Sequence, residues 1–270
     1  MTTLETTSTS LVRSSGSRAR PRPIPLRRVT STELRKMFDT RSGFWLMASI
    51  GILALLATTA VILFAPDDEL TYSTFATAIG FPMAVLLPII AILSVTGEWS
   101  QRSGLTTFTL VPYRGRVILA KAVSSVGVGM VSMLLAFGIG ALGNVVGTAV
   151  AGVGTVWDAS TTDFANIVLG NVLGLLIGFM LGVVIRGSAG AIVAYFVYSF
   201  LLPTLSALLA GSQQWFRDLQ PWVDFNYNQG QMYDGGFSAT NWAQFAVTGS
   251  VWLLLPLAIG LWRVMRAEVK

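Results

Sequence analysis

The chain has 270 residues, of which 53% are hydrophobic and 11% are charged. Soluble domains carry about 25% charged residues, so this composition favours a membrane protein over a soluble helical one. The chain has no cysteine and no histidine, which excludes disulfides, thiolate or histidine metal sites and Ser-His-Asp catalysis. Its net charge of +5 does not indicate nucleic-acid binding, because the basic residues flank apolar runs, where they face anionic lipid.

The N-terminal segment differs in composition from the rest of the chain. Residues 1–28 are rich in Ser, Thr, Arg and Pro and almost lack bulky apolar side chains. Such a segment cannot bury enough surface to fold alone. We therefore predict a disordered cytoplasmic tail at 1–28 and a transmembrane domain over 29–270.

Residues 30–42 are predicted to form a helix, capped at its start by one of the three hydroxyl residues at 30–32. Leu34, Met37 and Phe38 share one face at helical spacing, and Glu33 falls among the remaining, charged positions. A short helix of this kind just before a span lies in the membrane interface. The alternative is a cytosolic extension of the first span.

Six apolar runs are long enough to cross a bilayer, since a spanning helix needs about 20 apolar residues. The runs are 43–64, 75–96, 118–150, 164–185, 188–210 and 243–262. If all six span, 17 of the 18 Lys and Arg residues lie on one side, Arg217 being the exception. Because Lys and Arg in short loops stay cytoplasmic, we predict an all-α polytopic protein of the cell membrane with six transmembrane helices and both termini cytoplasmic.

Proline and glycine mark special positions in these runs. Pro82 and Pro88 are expected to bend the second span, either to line a cavity or as a plain packing feature. The third run is longer than a bilayer is thick, so it must tilt, break or project. Four glycines favour a break there: Gly138, Gly140, Gly143 and Gly147.

The fourth run carries glycines at every fourth position. On a helix these form one smooth ridge that allows close backbone approach. The ridge is predicted to be a helix-packing surface, either a sliding or dimer-forming face or a tight contact within one subunit. Its members are Gly170, Gly174, Gly178 and Gly182.

The longest outer segment, 211–242, is dense in aromatic residues. Aromatic rings favour the membrane–water boundary, so we expect short helices that dip into the outer leaflet. The rings belong to Trp215, Phe216, Trp222, Phe225, Tyr227, Tyr233, Phe237 and Trp242.

Several kinds of chemistry are missing from the sequence. The predicted span interiors hold no Asp, Glu, Lys or Arg apart from Lys121, near the inner end of the third, which argues against an ion-coupled carrier or an intramembrane hydrolase. No Gly-Lys pair occurs, so the chain has no P-loop. We predict that it is not an enzyme and binds no cofactor, and that any ATP use belongs to another polypeptide.

The connection between the second and third runs, 98–116, carries the most functional information. Glu98 and Arg102 are spaced for an ion pair on one helix face, and Leu105 and Phe108 are apolar although the connection is cytosolic. A short amphipathic helix of this kind can enter a groove on a partner protein. The alternative is a solvated loop whose charges only set the topology.

Glu98 with Arg102, a Thr-Leu-type helix, Pro112-x-Arg114-x-Arg116 and Lys121 together resemble the membrane subunits of type-2 ABC exporters. The resemblance implies a permease that works as two membrane halves, in a homodimer or heterodimer, with two copies of an ATPase that binds ATP and Mg. It also implies that the interfacial helix and the connection rest on that ATPase. The residues assigned to this contact are Glu98, Arg102, Leu105, Phe108, Pro112, Arg114, Arg116, Leu34 and Phe38.

The sequence thus predicts export of a hydrophobic or amphipathic compound, powered by ATP hydrolysis in a separate subunit. Two alternatives stay open. One is a membrane scaffold or sensor that binds an ATPase partner without transporting, and the other is a facilitative carrier or channel with no ATPase. The substrate is not specified by the sequence.

Overall fold

The computed structural model describes residues 25–39, 41–100, 114–233 and 237–266. The described residues are helical, with no strand among them. In chain order the helices are α1 (Leu26–Asp39), α2 (Arg41–Phe64), α3 (Tyr72–Ser100), α4 (Arg114–Ala151), α5 (Thr161–Ile185), α6 (Ser188–Phe196), α7 (Leu202–Ser212), α8 (Gln214–Val223), α9 (Phe225–Tyr233), α10 (Ala239–Gly249) and α11 (Leu255–Arg266). Short π-helical segments, Val197–Leu201 and Ser250–Leu254, join α6 to α7 and α10 to α11.

Six helical stretches are long and apolar enough to cross a membrane, which confirms the predicted number. They are Gly43–Phe64, Tyr72–Gly97, Gly115–Ala151, Thr161–Ile185, Ser188–Ser212 and Ala239–Arg266. Several extend beyond the apolar runs because polar caps, not hydropathy, decide where a helix begins. Ser160 and Asp163 form a capping box at the start of α5, and Ser238 and Asn241 form one at the start of α10.

Because successive spans reverse direction, one end of the bundle collects the start of α2, the end of α3, the start of α4, the turn from α5 to α6 and the end of α11. We call this the basic end, since the described basic residues other than Arg217 lie there or on α1. At the other end, the loop before α3 meets the loop after α4. The Tyr72 N–H donates to the Val156 carbonyl, and Ser73 N–H donates to the Asp158 carboxylate at 2.8 Å.

α1 begins at Leu26, four residues earlier than predicted, and therefore includes the last residues assigned to the tail. Pro25 supplies the first carbonyl, which accepts from the Arg28 N–H. The hydroxyls of Thr30 and Thr32 do not cap the helix as predicted. They donate to carbonyls one turn earlier, those of Leu26 and Arg28, each at 3.0 Å.

α3 is the central helix, packing most extensively on α5 and also on α2 and α4. α4 is continuous from end to end, so its glycines do not break it. Two of them, Gly143 and Gly147, accommodate neighbouring side chains instead. A Cβ on Gly143 would lie 2.3 Å from Thr58 Cγ2 and 3.0 Å from a Phe75 ring carbon, and one on Gly147 would lie 3.1 Å from that ring. Phe75 is fully buried as a result.

The last two spans each contain a π-helical turn just before a proline. Pro203 and Pro256 have no N–H, and their rings displace the carbonyl four residues earlier, which the wider π turn accommodates. In the fifth span this leaves the Tyr198 carbonyl without its helical donor, and the Asn226 side-chain amide donates to it at 3.1 Å. The two π turns also meet, with the Tyr198 and Trp252 rings 6.0 Å apart.

The aromatic outer segment forms two short helices, α8 and α9, as predicted. Phe225 is buried and packs on Phe245 at a ring distance of 5.2 Å. The Asp224 carboxylate accepts from Ser206 of α7 and from the Tyr227 N–H. Hydrogen bonds of this kind fix the segment to the ends of α7 and α10; its place in the outer leaflet stays a prediction.

Candidate functional site

Lys121 is buried inside α4, about two helical turns after the first residue. Its Nζ lies 2.5 Å from Oε2 of Glu33 on α1 and donates to the Ser94 carbonyl of α3 at 3.0 Å. One ammonium group therefore joins three helices at the basic end. A buried charge needs such partners because removing it from water is unfavourable unless it is paired and hydrogen-bonded.

Glu33 is buried as well, and its second oxygen accepts from Lys36 Nζ at 2.7 Å. Burial by itself raises the pKa of Glu33. The attraction and hydrogen bond of Lys121, with smaller contributions from Lys36, outweigh this, so the pKa lies below its ordinary value. The carboxylate is therefore ionised at neutral pH and forms a true ion pair with Lys121.

Apolar contacts and a hydrogen bond extend this attachment along α1. Val29, one turn before Glu33, packs into a buried cluster with Val117 and Ala120 of α4. The Ser124 hydroxyl donates to the Thr30 carbonyl at 3.3 Å. These contacts run from Val29 to Glu33, about one and a half turns of α1, so the helix is fastened to α4 over a surface and not at a single point.

The buried face of α1 includes Glu33, which the sequence interpretation grouped with the charged positions outside the apolar face. The contact of Leu34 and Phe38 with an ATPase stays a prediction. In the structure Leu34 is half-buried, Phe38 is 50% exposed and Glu33 is buried. The reason is Lys121, which supplies the opposite charge that Glu33 needs. Lys121 was also the available signal, because it is the lone Lys, Arg, Asp or Glu in a predicted span interior and requires a partner.

Most of the predicted coupling connection, residues 101–113, lies outside the described residues, and with it Arg102, Leu105, Phe108 and Pro112. Glu98 and Arg114 are described by their backbone alone, in the last turn of α3 and at the first residue of α4. Arg116 is half-buried, one residue further along α4 than Gly115. The two helices that flank the connection are thus the two that Lys121 holds together.

The glycine ridge of α5 lies against α3 of the same chain. A Cβ on Gly178 would lie 2.6 Å from the Pro88 carbonyl oxygen and 2.8 Å from Pro88 Cα, and one on Gly182 would lie 3.3 Å from the Ile92 carbonyl oxygen. Gly174 faces Pro88 more loosely, and Gly170 is buried. The absence of side chains lets the two backbones touch beside Pro88.

The described residues hold no group of three acidic, His or Cys side chains suited to a metal ion. A shallow apolar groove of about 500 Å³ runs along the outward face of α4, beside Trp157. Its lining carries no charged side chain: Leu134, Leu135, Gly138, Ile139, Ala141, Leu142, Val145 and Trp157.

These features define an all-helical protein with six helices long and apolar enough to span a membrane. Buried Lys121 of the third of these helices, α4, forms an ion pair with the N-terminal helix α1 and a hydrogen bond with the second, α3. No protein-family model and no curated protein matches the chain.

Proposed function

We propose that this chain is the permease subunit of an ABC exporter of the type-2 kind, paired with a separate ATPase. The observation that carries the proposal is the contact of Lys121 with both Glu33 of α1 and the Ser94 carbonyl of α3. The resemblance assigns α1 and the 98–116 connection to the ATPase surface. Lys121 joins α1 to α3 and α4, the two helices that enter and leave that connection. A force from the ATPase on α1 or on the connection would therefore act on the same group of three helices.

The packing suggests how movement would spread from there. A push on α1 or on the connection acts on α3 and α4 together, since Lys121 holds both. α3 is in backbone contact with α5 beside Pro88 and Gly178. Because this contact is closely packed, a displacement of α3 would also displace α5. ATP and Mg on the partner drive closure of the ATPase dimer, which shifts the permease between inward-open and outward-open states.

The remaining parts of the proposal rest on charge, on the resemblance and on composition. The basic end faces the cytosol of a cell membrane, with both termini on that side. The resemblance implies that a second permease copy, identical or different, completes the transporter. The cargo is hydrophobic or amphipathic, since the described spans offer few ionisable side chains to a polar one.

The side of the membrane can be tested directly, because the chain contains no cysteine. Leu105→Cys is expected to react with a membrane-impermeant maleimide only in inside-out vesicles or opened cells. Asp68→Cys, at the exposed loop between α2 and α3, is the matched control and is expected to react from outside. Labelling of position 105 from outside would overturn the topology and the ATPase contact with it.

Partner binding and transport need separate measurements. A tagged chain purified from native membranes is expected to bring an ABC-type ATPase, and deletion of 103–111 is expected to abolish that association while deletion of 3–11 leaves it intact. ATP-dependent movement of a lipophilic dye in vesicles containing both proteins completes the test. A stable complex without transport would favour a scaffold or sensor, and flux through the chain alone would favour a carrier or channel.

A further inference from the structure

A basic pocket of about 390 Å³ lies at the basic end, between the end of α5 and the end of α11. Three arginines, a tryptophan and a valine line it: Val184, Arg186, Trp262, Arg263 and Arg266. None of the three guanidinium groups forms an ion pair with a carboxylate of the described residues. The pocket therefore gathers three positive charges that the described part of the protein does not neutralise.

Arg186 is held at the pocket by an unusual backbone conformation. It caps α5 with φ 60°, the left-handed region, and its N–H donates to the Gly182 carbonyl at 3.0 Å. Non-glycine residues adopt this conformation rarely, because of the clash with Cβ. The Nε atom of Arg186 is buried and has no hydrogen-bond partner among the described residues. A buried donor without a partner is unfavourable, so Arg186 keeps hydrogen-bonding capacity that the described residues do not use.

The α11 side of the pocket combines charge with an aromatic ring. The Arg266 guanidinium lies 4.5 Å from the centre of the Trp262 ring, a cation–π contact. The last turn of α11 carries both Arg263 and Arg266, where the helix dipole favours positive charge. Trp262 is half exposed, as expected of a ring at the boundary between hydrocarbon and headgroups.

We propose that this pocket binds the phosphate of an anionic phospholipid headgroup. Guanidinium groups bind phosphate oxygens with paired, charge-assisted hydrogen bonds. Basic pockets between helices at the cytoplasmic boundary are suited to anionic headgroups. A lipid fits better than free phosphate because the pocket opens at the ends of two spans and has an apolar wall, Val184 and Trp262, for the glycerol and upper acyl chain. This site is independent of the proposed ATPase partner.

The test uses the full chain in detergent, with dioctanoyl phosphatidylglycerol, dioctanoyl phosphatidylcholine and inorganic phosphate as three separate probes. Native mass spectrometry and thermal unfolding measure the binding of each. We expect one phosphatidylglycerol to be retained per chain and to raise Tm in a saturable way, with phosphatidylcholine and inorganic phosphate having little effect at the same concentration. Equal shifts with both lipids would overturn the proposal, and an equal shift with inorganic phosphate would overturn the assignment to a lipid.

A matched pair of variants locates the site. The pocket variant is R186G/R263Q/R266Q, in which glycine suits the positive φ at 186 and so preserves the fold. The control variant is R27Q/R28Q/R35Q, which removes three exposed arginines from α1 and the same total charge. Because one charge-assisted hydrogen bond corresponds to roughly tenfold in affinity, the pocket variant is expected to bind phosphatidylglycerol at least about tenfold more weakly than the control.

Equal losses of phosphatidylglycerol affinity in the pocket variant and the control variant would show that net charge alone attracts the lipid and would overturn the pocket assignment.

The single variant R263Q is a second test, which leaves the residue that caps α5 unchanged. It is expected to weaken phosphatidylglycerol binding while its Tm without lipid matches that of the parent chain. Unchanged binding in both R263Q and the triple variant would also overturn the proposal.

Discussion

The central helices α3 and α5 and the last two spans are built differently. In an 18-residue stretch of α3 and of α5, 44% of the residues are buried, compared with 11% in the fifth span and 17% in the sixth. The central pair is held by backbone contact at Gly178 and by a buried apolar core that includes Leu87 and Phe179. In the last two spans, the Asn226 amide donates to the Tyr198 carbonyl of the first π turn, and Trp252 Nε1 of the second π turn donates to the Val223 carbonyl.

This difference indicates which part acts as a unit. The central helices have few uncovered faces and no spare volume at their contact, so a force on one is transmitted to the other. The last two spans present long apolar faces with exposed side chains such as Val193, Leu205 and Leu208. Those faces are available to lipid or to the second permease copy proposed above. The buried ion pair adds α1 to the central unit.

The largest effect is expected from removing one member of the ion pair. Lys121→Met leaves Glu33 buried without its main partner, and breaking a buried pair in this way costs about 3–5 kcal/mol. Lys36→Met is the matched control, since Lys36 is partly exposed, and surface pairs contribute about 0–1 kcal/mol. Thermal unfolding in detergent measures both. Similar Tm values for the two variants would show that the buried pair does not fasten α1.

The double variant E33Q/K121M sharpens the same measurement. It removes both charges, so it is expected to be more stable than K121M alone. A double variant as unstable as the sum of the two single changes would mean that the residues act independently and that the contact does not couple the two helices.

A smaller loss is expected at the backbone contact between α3 and α5. Gly178→Ala places a methyl group 2.6 Å from the Pro88 carbonyl oxygen, and since backbone cannot rotate away, the helices must separate. Overpacking of this kind typically costs about 1–3 kcal/mol. Gly138→Ala is the control, because nothing lies within 4 Å of the added Cβ there. Equal Tm values for the two variants would contradict close contact at Gly178.

The ion pair also predicts a dependence on pH. Because the folded protein holds the pKa of Glu33 below its ordinary value of 4.5, ionised Glu33 stabilises the fold above that pH. The contribution is lost as the pH falls through the lowered pKa. The Tm advantage of the parent chain over E33Q is therefore expected to be constant above about pH 5 and to shrink below 4.5. If the Tm advantage of the parent chain over E33Q grew as the pH fell, ionised Glu33 would destabilise the fold, and the ion pair with Lys121 would be contradicted.

The smallest effect is expected among the last two spans. Asn226→Ala removes the side-chain donor to the Tyr198 carbonyl at the π turn. Because that carbonyl then lacks its hydrogen bond, the free energy of unfolding is expected to fall by about 1 kcal/mol. Gln214→Ala, exposed at the start of α8, is the control and is expected to leave Tm unchanged. An Asn226→Ala loss as large as that of Lys121→Met would remove the distinction between the two regions.

The sequence interpretation was accurate where one local property decides the structure. The six spans follow from length and hydropathy, because a backbone in hydrocarbon must satisfy its own hydrogen bonds as a helix. The short helices of the segment 211–242 were predicted from its density of aromatic residues. The start of α1 was missed because several hydroxyl residues near Thr30 compete as caps, and the helix instead begins directly after Pro25.

The amino-acid sequence by itself therefore determined the class of protein, the number of spans and the gathering of basic residues at one end, since each depends on composition along a short stretch. Tertiary structure alone decided that Glu33 is buried against Lys121, that the glycines of α4 receive Phe75 without breaking the helix, and that Arg186 meets Arg263 at one pocket. Each of these joins residues far apart in the chain. Whether a charge is buried or a glycine is needed depends on what the fold places opposite it.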